Sequence, residues 1–307
     1  MSAPVSLNNN HSSRPGPRPI IVTGPTGSGK SPFAVALAER LGGEIIGADA
    51  FQIYAGLPLL TAQPGPGLLG RVPHHLIGVL PLGESCDAAR YAAAARACIS
   101  EISSRGRVPV LVGGTGLYIK ALTHGLAELP PVDPVVRAEI ATLDPAAALA
   151  RLQASDPVAP LQIDTKNPAR VRRALEIVLA TGRPLATSRA TWSSRSSAPE
   201  EFRGVVLVRD RDELYRRIAD NVDAMFAAGV VDEVRAASDA GPSASRAIGF
   251  GEIQALLRGE CDLASCREAI VTATRRYAKR QLTWCRNQFD FPAIDPTRSD
   301  ALDLFQA

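Results

Sequence analysis

The sequence predicts an α/β fold in which a parallel β-sheet is flanked by helices. Three observations indicate it. Short apolar runs alternate with helical segments, a glycine-rich turn separates the first run from the first helix, and no apolar run approaches membrane-spanning length.

The N-terminal half supplies three strands and two helices. Residues 19–23 (PIIVT) predict a buried strand, and residues 33–42 predict a helix that stops at two glycines. The segments that follow predict a strand at 44–49 (EIIGAD), a helix at 87–105 and a strand at 108–114 (VPVLVGG). Strand–helix alternation of this kind gives a parallel sheet with right-handed crossovers.

The second half changes character. Residues 130–190 are rich in Ala, Leu and Arg with proline-marked breaks, which predicts a small helical insertion. A strand is expected at 204–210, followed by helices at 211–239, 250–258 and 263–289, the last amphipathic with a basic face. The predicted organisation is a disordered tail (1–18), an α/β core (19–125), a helical insertion (126–200), a return to the core (201–292) and a tail (293–307).

Bulk composition excludes several classes of protein. The 307 residues carry a net charge of only +3, so nucleic-acid binding does not follow from the total. The five cysteines include no CxxC pair and no zinc spacing, which favours reduced thiols. The first 19 residues lack the apolar core of a secretory signal, so a cytoplasmic protein with no membrane partner is expected.

The glycine-rich turn is Gly24-Pro25-Thr26-Gly27-Ser28-Gly29-Lys30-Ser31, which fits the phosphate-binding pattern GxxxxGK[ST] between a strand and a helix. Its backbone N–H groups and the helix N-terminus favour phosphate oxygens. Lys30 neutralises phosphate charge, and the Ser31 hydroxyl suits Mg²⁺. The turn therefore predicts a core of the P-loop NTPase type that binds a di- or triphosphate.

Two details distinguish this turn from that of an ordinary NTPase. Pro32 has no N–H for a third phosphate, which favours a two-phosphate ligand, although proline is equally compatible with a first helical turn. The third strand ends in Gly113-Gly114-Thr115, where an Mg²⁺-ATPase would be expected to place a carboxylate. Asp49 and Thr115 both end strands and should face the loop. Taken alone, Asp49 is better explained as a solvated cap.

Eight segments occur together in order: GPTGSGKS (24–31), ADAFQIYAGLPLLTAQP (48–64), PHHLIG (73–78), GGTGLYIKAL (113–122), RVRRALEIVLATGRPL (170–185), RIADNVDAMFAAGVVDEVRA (217–236), RAIGFGEI (246–253) and RRYAKRQLTWCRNQ (275–288). Together they resemble the bacterial tRNA dimethylallyltransferases, also called isopentenyl-diphosphate:tRNA transferases. The resemblance spans roughly residues 20–289.

The resemblance implies transfer of a dimethylallyl group from dimethylallyl diphosphate to N6 of adenosine 37 in tRNA, with Mg²⁺ as cofactor. Asp49 matches the family's general base, Thr115 matches a threonine near the reacting amine, and Arg246 matches an arginine that contacts the diphosphate. For Arg246, a surface charge is an almost equally good explanation.

The resemblance also implies that the target base leaves the anticodon stem-loop and enters a channel. The resemblance implies that the helical insertion (126–200) binds tRNA. The family's tRNA contacts match Asp49, Ala50, Phe51, Gln52, Arg137, Arg170, Arg172, Arg173, Lys279, Arg280, Gln281, Trp284 and Arg286. A charge run on an amphipathic helix is usually a solvated face, but the resemblance favours RNA for residues 279–286. Members are usually monomers, so a monomer is expected.

Four positions depart from the family pattern. Ala50 and Phe51 stand where Ser and Met are common, Gln63 where Lys is frequent, and Asn167 where Asp is often found. These departures concern substrate contacts and leave the reaction class unchanged.

Three alternatives remain open at this point. An adenylate isopentenyltransferase would share the loop and Asp49 but act on free AMP, ADP or ATP. A P-loop kinase would consume ATP without a prenyl donor. A non-catalytic RNA-binding protein would retain the loop as a relic.

Overall fold

The computed structural model describes residues 17–126, 129–189, 201–298 and 300–305. The tail expected at residues 1–18 lies almost entirely outside these residues. The chain forms two compact units, one made of Met1–Thr123 with Ser197–Ala307 and the other of His124–Ser196.

The larger unit contains a six-stranded, all-parallel sheet, as the sequence predicts. Its strands are β1 (Ile20–Thr23), β2 (Glu44–Gly47), β3 (His74–His75), β4 (Pro109–Gly113), β5 (Arg203–Leu207) and β6 (Ala293–Ile294). They lie in the order β3-β2-β4-β1-β5-β6. β1 therefore lies between β4 and β5, and its C-terminal Thr23 is in register with Gly113. The short strands β3 and β6 were not expected from the sequence.

Helices cover both faces of this sheet. Those of the larger unit are α1 (Lys30–Leu41), α2 (Pro66–Leu69), α3 (Ala88–Ser104), α4 (Gly116–His124), α9 (Arg211–Ala227), α10 (Val230–Ala236), α11 (Phe250–Leu257) and α12 (Leu263–Gln288). The single helix predicted over 211–239 is wrong, because α9 ends at Ala227 and α10 begins after its N-cap Gly229.

The core follows from the alternation of side chains along each strand. Ile20 and Val22 face α1 and pack with its apolar residues, whereas Ile21 faces a second cluster that contains residues of α3, α4 and α12. Because both faces are covered, the central strands β1 and β4 are almost entirely apolar, as parallel strands usually are.

The smaller unit is helical in its described part, in agreement with the pattern expected for residues 130–190. Its helices are α5 (Pro134–Thr142), α6 (Pro145–Ser155), α7 (Pro168–Thr181) and α8 (Leu185–Arg189). Proline occupies the first turn of α5, α6 and α7, and each helix has an Asp or Asn N-cap that accepts backbone hydrogen bonds. Asn167, which stands where Asp is often found in the family, therefore has a structural role as the N-cap of α7.

Among the described residues, no helix is both long enough and apolar enough to cross a membrane.

The prediction of a tail at residues 293–307 is wrong for its described part. β6 pairs with β5, and Ala301 and Phe305 are buried in the cluster that contains β1 and α1. The side chain of Phe305 is only 4% exposed. The strand β6 thus forms one edge of the sheet, and the residues after it add to the core.

Replacing Phe305 by Ala should lower the free energy of unfolding by about 3–5 kcal/mol, because it removes a buried aromatic ring from this cluster. Denaturant titration would measure the change. Leu304→Ala is the matched control, because Leu304 is 50% exposed and its loss should cost less than about 0.5 kcal/mol. Equal effects of the two substitutions would restore the tail interpretation.

Candidate active site

The predicted phosphate loop lies between β1 and α1. Gly29 is the N-cap of α1 and adopts a left-handed backbone with φ of 90°, which glycine tolerates without a Cβ clash. The loop therefore leads directly into a helix N-terminus, where unpaired N–H groups favour an anion. Pro32 lies in the first turn of α1, where its missing N–H leaves no helical hydrogen bond unmade.

Lys30 is held against this loop. Its Nζ donates to the Pro25 carbonyl at 2.7 Å. Burial lowers the pKa of Lys30 to about 8, and the Asp49 carboxylate opposes part of that shift because it favours the ammonium form. Lys30 and Asp49 are thus electrostatic neighbours.

Asp49 follows β2 and has one carboxylate oxygen committed to the backbone. Its Oδ1 accepts from the N–H groups of Phe51 at 2.9 Å and Gln52 at 3.3 Å. No described residue donates a hydrogen bond to Oδ2. Thr115 is fixed beside it, because its Oγ1 accepts from the Ala50 N–H at 2.9 Å. Ala50, which stands where Ser is common in the family, therefore still contacts Thr115 through its backbone N–H.

One cavity of about 290 Å³ joins these elements. Its polar wall includes Lys30, Ser31, Asp49 and Gln52, and its lining also includes Phe51. Its apolar wall is formed by side chains of α9, α12 and the loop before α2, namely Ile218, Val222, Met225, Ile270, Leu59 and Leu60. Thr115 and Arg246 are absent from this lining.

Gln281 lies on the buried side of α12, not on its exposed basic face. Its Oε1 accepts from the Thr26 N–H at 2.8 Å, and its Nε2 donates to the Gly114 carbonyl at 3.0 Å. The side chain is buried and lines the cavity. It therefore ties the phosphate loop to the end of β4, and its amide is committed within the protein.

The remaining expected RNA contacts of α12 divide by exposure. Lys279, Arg280 and Arg286 are exposed. Arg280 also lies over the ring of Tyr277, 5.6 Å from its centroid, and Tyr277 lines the cavity. Trp284 packs against Gly116 and its ring nitrogen is buried, so it supports the core.

The arginines expected to contact tRNA in the smaller unit also divide. Arg137 and Arg170 are exposed. Arg172 donates to the Leu143 carbonyl at 2.8 Å, and Arg173 pairs with Glu176 at 2.7 Å. Arg172 is therefore committed to packing within its own unit.

Sequence reasoning missed two arginines that brace the phosphate loop. Arg217 Nε donates to the Gly27 carbonyl at 2.8 Å, and Arg209 Nε donates to the Ser28 carbonyl at 2.9 Å. Arg209 is also paired with Glu213, whereas Arg217 has no carboxylate partner among the described residues and lines the cavity. The sequence signal that could have indicated Arg217 is its position in α9, since it lies on the same side of the helix as the buried Leu214 and Ile218.

Arg246 ends a short 3-10 turn and its side chain is exposed. Arg246 itself does not line the cavity, whereas the two residues that follow it do. Arg217 is an arginine that both lines the cavity and contacts the phosphate loop.

The donor set is compatible with Mg²⁺. No cluster of three His, Cys, Asp or Glu side chains that could hold a metal occurs in the described part of the chain. Ser31 and Asp49 nevertheless both line the cavity and offer hard oxygen donors. Since Mg²⁺ commonly binds through one or two protein donors and substrate phosphates, these residues suit an ion held chiefly by a bound diphosphate.

Comparison with known proteins identifies close similarities. The family model described as IPP transferase matches residues 52–288. The chain is 41% identical to a tRNA dimethylallyltransferase of Akkermansia muciniphila, covering 92% of this chain and 95% of that protein. It is 45% identical to a tRNA dimethylallyltransferase of Geobacter sulfurreducens, covering 90% of each.

Solved structures agree with these similarities. The tRNA isopentenylpyrophosphate transferase of Bacillus halodurans superposes with a TM-score of 0.66 at 35% identity, over 91% of this chain and 90% of that one. A eukaryotic dimethylallyltransferase acting on tRNA gives a TM-score of 0.78 at 25% identity, over 94% of this chain and 76% of that one.

Lys30 should make the affinity for a diphosphate ester depend on pH. Since its pKa is lowered to about 8, the free protein loses this positive charge as the pH rises through that value. Methyl diphosphate is a suitable probe, because its last proton dissociates at a pH of about 6. Calorimetry should show its affinity falling several-fold between about pH 7 and about pH 9.5.

Lys30→Arg provides the control, because the guanidinium stays charged throughout this range. Its affinity should change little with pH. A wild-type affinity that is also constant would show that Lys30 does not contact the anion.

Proposed function

Since the chain belongs to the IPP transferase family, we propose that it transfers a dimethylallyl group from dimethylallyl diphosphate to N6 of adenosine 37 of tRNA. The products are N6-dimethylallyladenosine and diphosphate. The observation that carries this proposal is one cavity lined by both a phosphate loop and the Asp49 carboxylate.

Asp49 suits the role of general base. The exocyclic amine of adenine is a weak nucleophile, because its lone pair is delocalised into the ring, so attack on C1 of the donor requires a proton acceptor. Oδ1 is oriented by two backbone N–H groups, which leaves Oδ2 to receive one N6 proton. Thr115, held beside Ala50, keeps this segment in place.

The opposite wall stabilises the leaving group. The C1–O bond breaks as the N6–C1 bond forms, and the electron pair goes to the diphosphate oxygen. The loop N–H groups and Lys30 face that developing charge, and we assign the additional guanidinium to Arg217 rather than to the exposed Arg246. Mg²⁺, held by Ser31 and the diphosphate, would supply further charge neutralisation.

The donor's hydrocarbon fits the apolar wall. Ile218, Val222 and Met225 lie on successive turns of α9, and Ile270 of α12 also lines the cavity. These side chains offer an apolar surface to a branched C5 group and exclude water from the reacting carbon. Ile218 also lies next to the phosphate loop, as the donor geometry requires.

We expect the protein to act as a monomer. It would bind the anticodon stem-loop of the tRNA, with adenine 37 turned out of the base stack. The exposed cations Lys279, Arg280 and Arg286 supply phosphate contacts, so affinity should fall as salt rises. Since the substrate is tRNA, we expect the protein in the cytoplasm.

The discriminating experiment compares acceptors. The purified protein is incubated with dimethylallyl diphosphate and either unmodified tRNA or AMP, and nucleosides are analysed by mass spectrometry. We expect prenylated adenosine from tRNA and none from AMP, and a tRNA with guanosine at position 37 serves as the control. Prenylation of AMP alone would identify an adenylate isopentenyltransferase, and ATP consumption without a prenyl donor would identify a kinase.

Asp49→Asn should lower kcat by about 10²–10⁴-fold, because the amide cannot take the N6 proton. The affinity for tRNA should change less than about threefold, since the amide oxygen can still accept from the Phe51 and Gln52 N–H groups. Single-turnover kinetics and filter binding measure the two quantities. Full turnover by the variant would remove Asp49 from the mechanism.

A further inference from the structure

The segment of residues 57–63, called here the cavity loop, forms part of the cavity wall. Leu59, Leu60, Thr61 and Ala62 all line the cavity. The loop lies outside helices and strands, so its position depends on contacts made by its backbone. Two such contacts come from one side chain on α10.

That side chain is Glu233. Its Oε2 accepts from the Leu59 N–H and its Oε1 from the Leu60 N–H, both at 2.8 Å. Each carboxylate oxygen therefore holds one of two successive N–H groups, an arrangement that fixes both position and orientation. Glu233 has no arginine or lysine partner among the described residues, so its charge is directed at the loop.

The carbonyl groups of the same loop fix Gln52. Its Nε2 donates to the Thr61 carbonyl at 3.1 Å and to the Ala62 carbonyl at 2.8 Å. A side-chain amide has two N–H donors, so both are used. Since only the NH₂ group can serve two carbonyl oxygens, the orientation of the amide is fixed, and Oε1 remains without a donor from any described residue.

Gln63 closes the arrangement. Its Nε2 donates to the carbonyls of Gln52 at 3.0 Å and Tyr54 at 2.8 Å. The glutamine that replaces the frequent lysine thus joins the end of the cavity loop to the backbone of residues 52–54. Gln52 in turn donates its backbone N–H to Asp49 Oδ1. The network therefore runs from Glu233 through the cavity loop to Gln52 and Asp49.

We propose that Glu233 is a positioning residue for base recognition: through the cavity loop it fixes the Gln52 amide so that its oxygen accepts from the amino group of the target purine. The inference rests on the proposed function. An adenine amine has two N–H groups, one for Gln52 Oε1 and one for Asp49 Oδ2. In a base that carries a carbonyl group instead of this amine, the carbonyl oxygen would face Gln52 Oε1, and two acceptors cannot form a hydrogen bond.

A simpler role for Glu233 is that of an acid in the first turn of a helix, where it interacts favourably with the helix dipole. Asp232 shares that turn, and its side chain is 79% exposed in an ion pair with Arg235. The two carboxylates share the first turn of α10, and of the two only Glu233 accepts hydrogen bonds from the cavity loop. Asp232→Asn is the matched control.

The test measures a ratio of affinities without the donor present. Anticodon stem-loops carry either adenine or unsubstituted purine, which lacks the amino group, at position 37. The wild-type protein should bind the adenine form on the order of tenfold more tightly, because purine loses the hydrogen bonds to both Gln52 Oε1 and Asp49 Oδ2. In Glu233→Gln, whose NH₂ opposes a loop N–H, the ratio should fall to less than about threefold.

Gln52→Ala should lower the ratio in the same way, because only the contact with Asp49 Oδ2 remains, whereas Asp232→Asn should retain it. General loosening of the fold would weaken binding of both stem-loops equally and leave the ratio unchanged. A wild-type ratio near one, or a wild-type ratio retained in folded Glu233→Gln, overturns the inference.

The wild-type measurement requires no variant, so a misfolded Glu233→Gln does not leave the idea untested. Hydrogen exchange in the wild-type protein adds a second check. The backbone N–H groups of Leu59 and Leu60 should exchange slowly, and exchange at the rate of a free amide would contradict their hydrogen bonds to Glu233. Prenyl transfer by the wild-type protein is measured first. Absence of transfer defeats the proposed function, whereas transfer with no base preference defeats only this inference.

Discussion

The meeting of three parallel strand ends at one edge of the sheet is the constraint on which the site depends. β1, β2 and β4 are neighbours in register, so the segments that follow them enter the same cavity. Their approach is so close that a Cβ at Gly113 would lie 2.1 Å from the Ala48 carbonyl oxygen. Asp49 is therefore placed beside the phosphate loop by backbone packing, before any side chain contributes.

α12 then makes this arrangement rigid. One side of the helix is buried, with Cys285 against the sheet and Ala278 against α9, while its cations remain on the other side. Gln281 extends from the buried side to join the phosphate loop to the end of β4. A helix that is amphipathic by composition thus contributes to two functions, because its apolar side fixes the phosphate loop and its exposed side is free for an anionic partner.

The sequence predicted the parallel sheet, the phosphate loop and the position of Asp49, because each depends on local pattern: a strand period, a glycine spacing and a strand end. It did not predict β3 or β6, since two-residue strands have no period. It also missed Arg217, Arg209 and Glu233, whose partners are backbone groups about 170–190 residues away. Hydrogen bonds to a distant carbonyl or N–H leave no trace in local pattern, and for the same reason Gln281 was expected on the wrong surface.

The distribution of unused hydrogen-bonding atoms explains why this cavity suits one reaction. On the phosphate-loop side the available groups are donors, from the helix N-terminus, Lys30 and Arg217. On the Asp49 side they are acceptors, because backbone contacts already occupy Asp49 Oδ1 and both hydrogens of the Gln52 amide. An anion is stabilised at one end and an N–H donor at the other, with an apolar wall between them. A transfer in which an amine loses a proton while a diphosphate gains charge fits this order of groups.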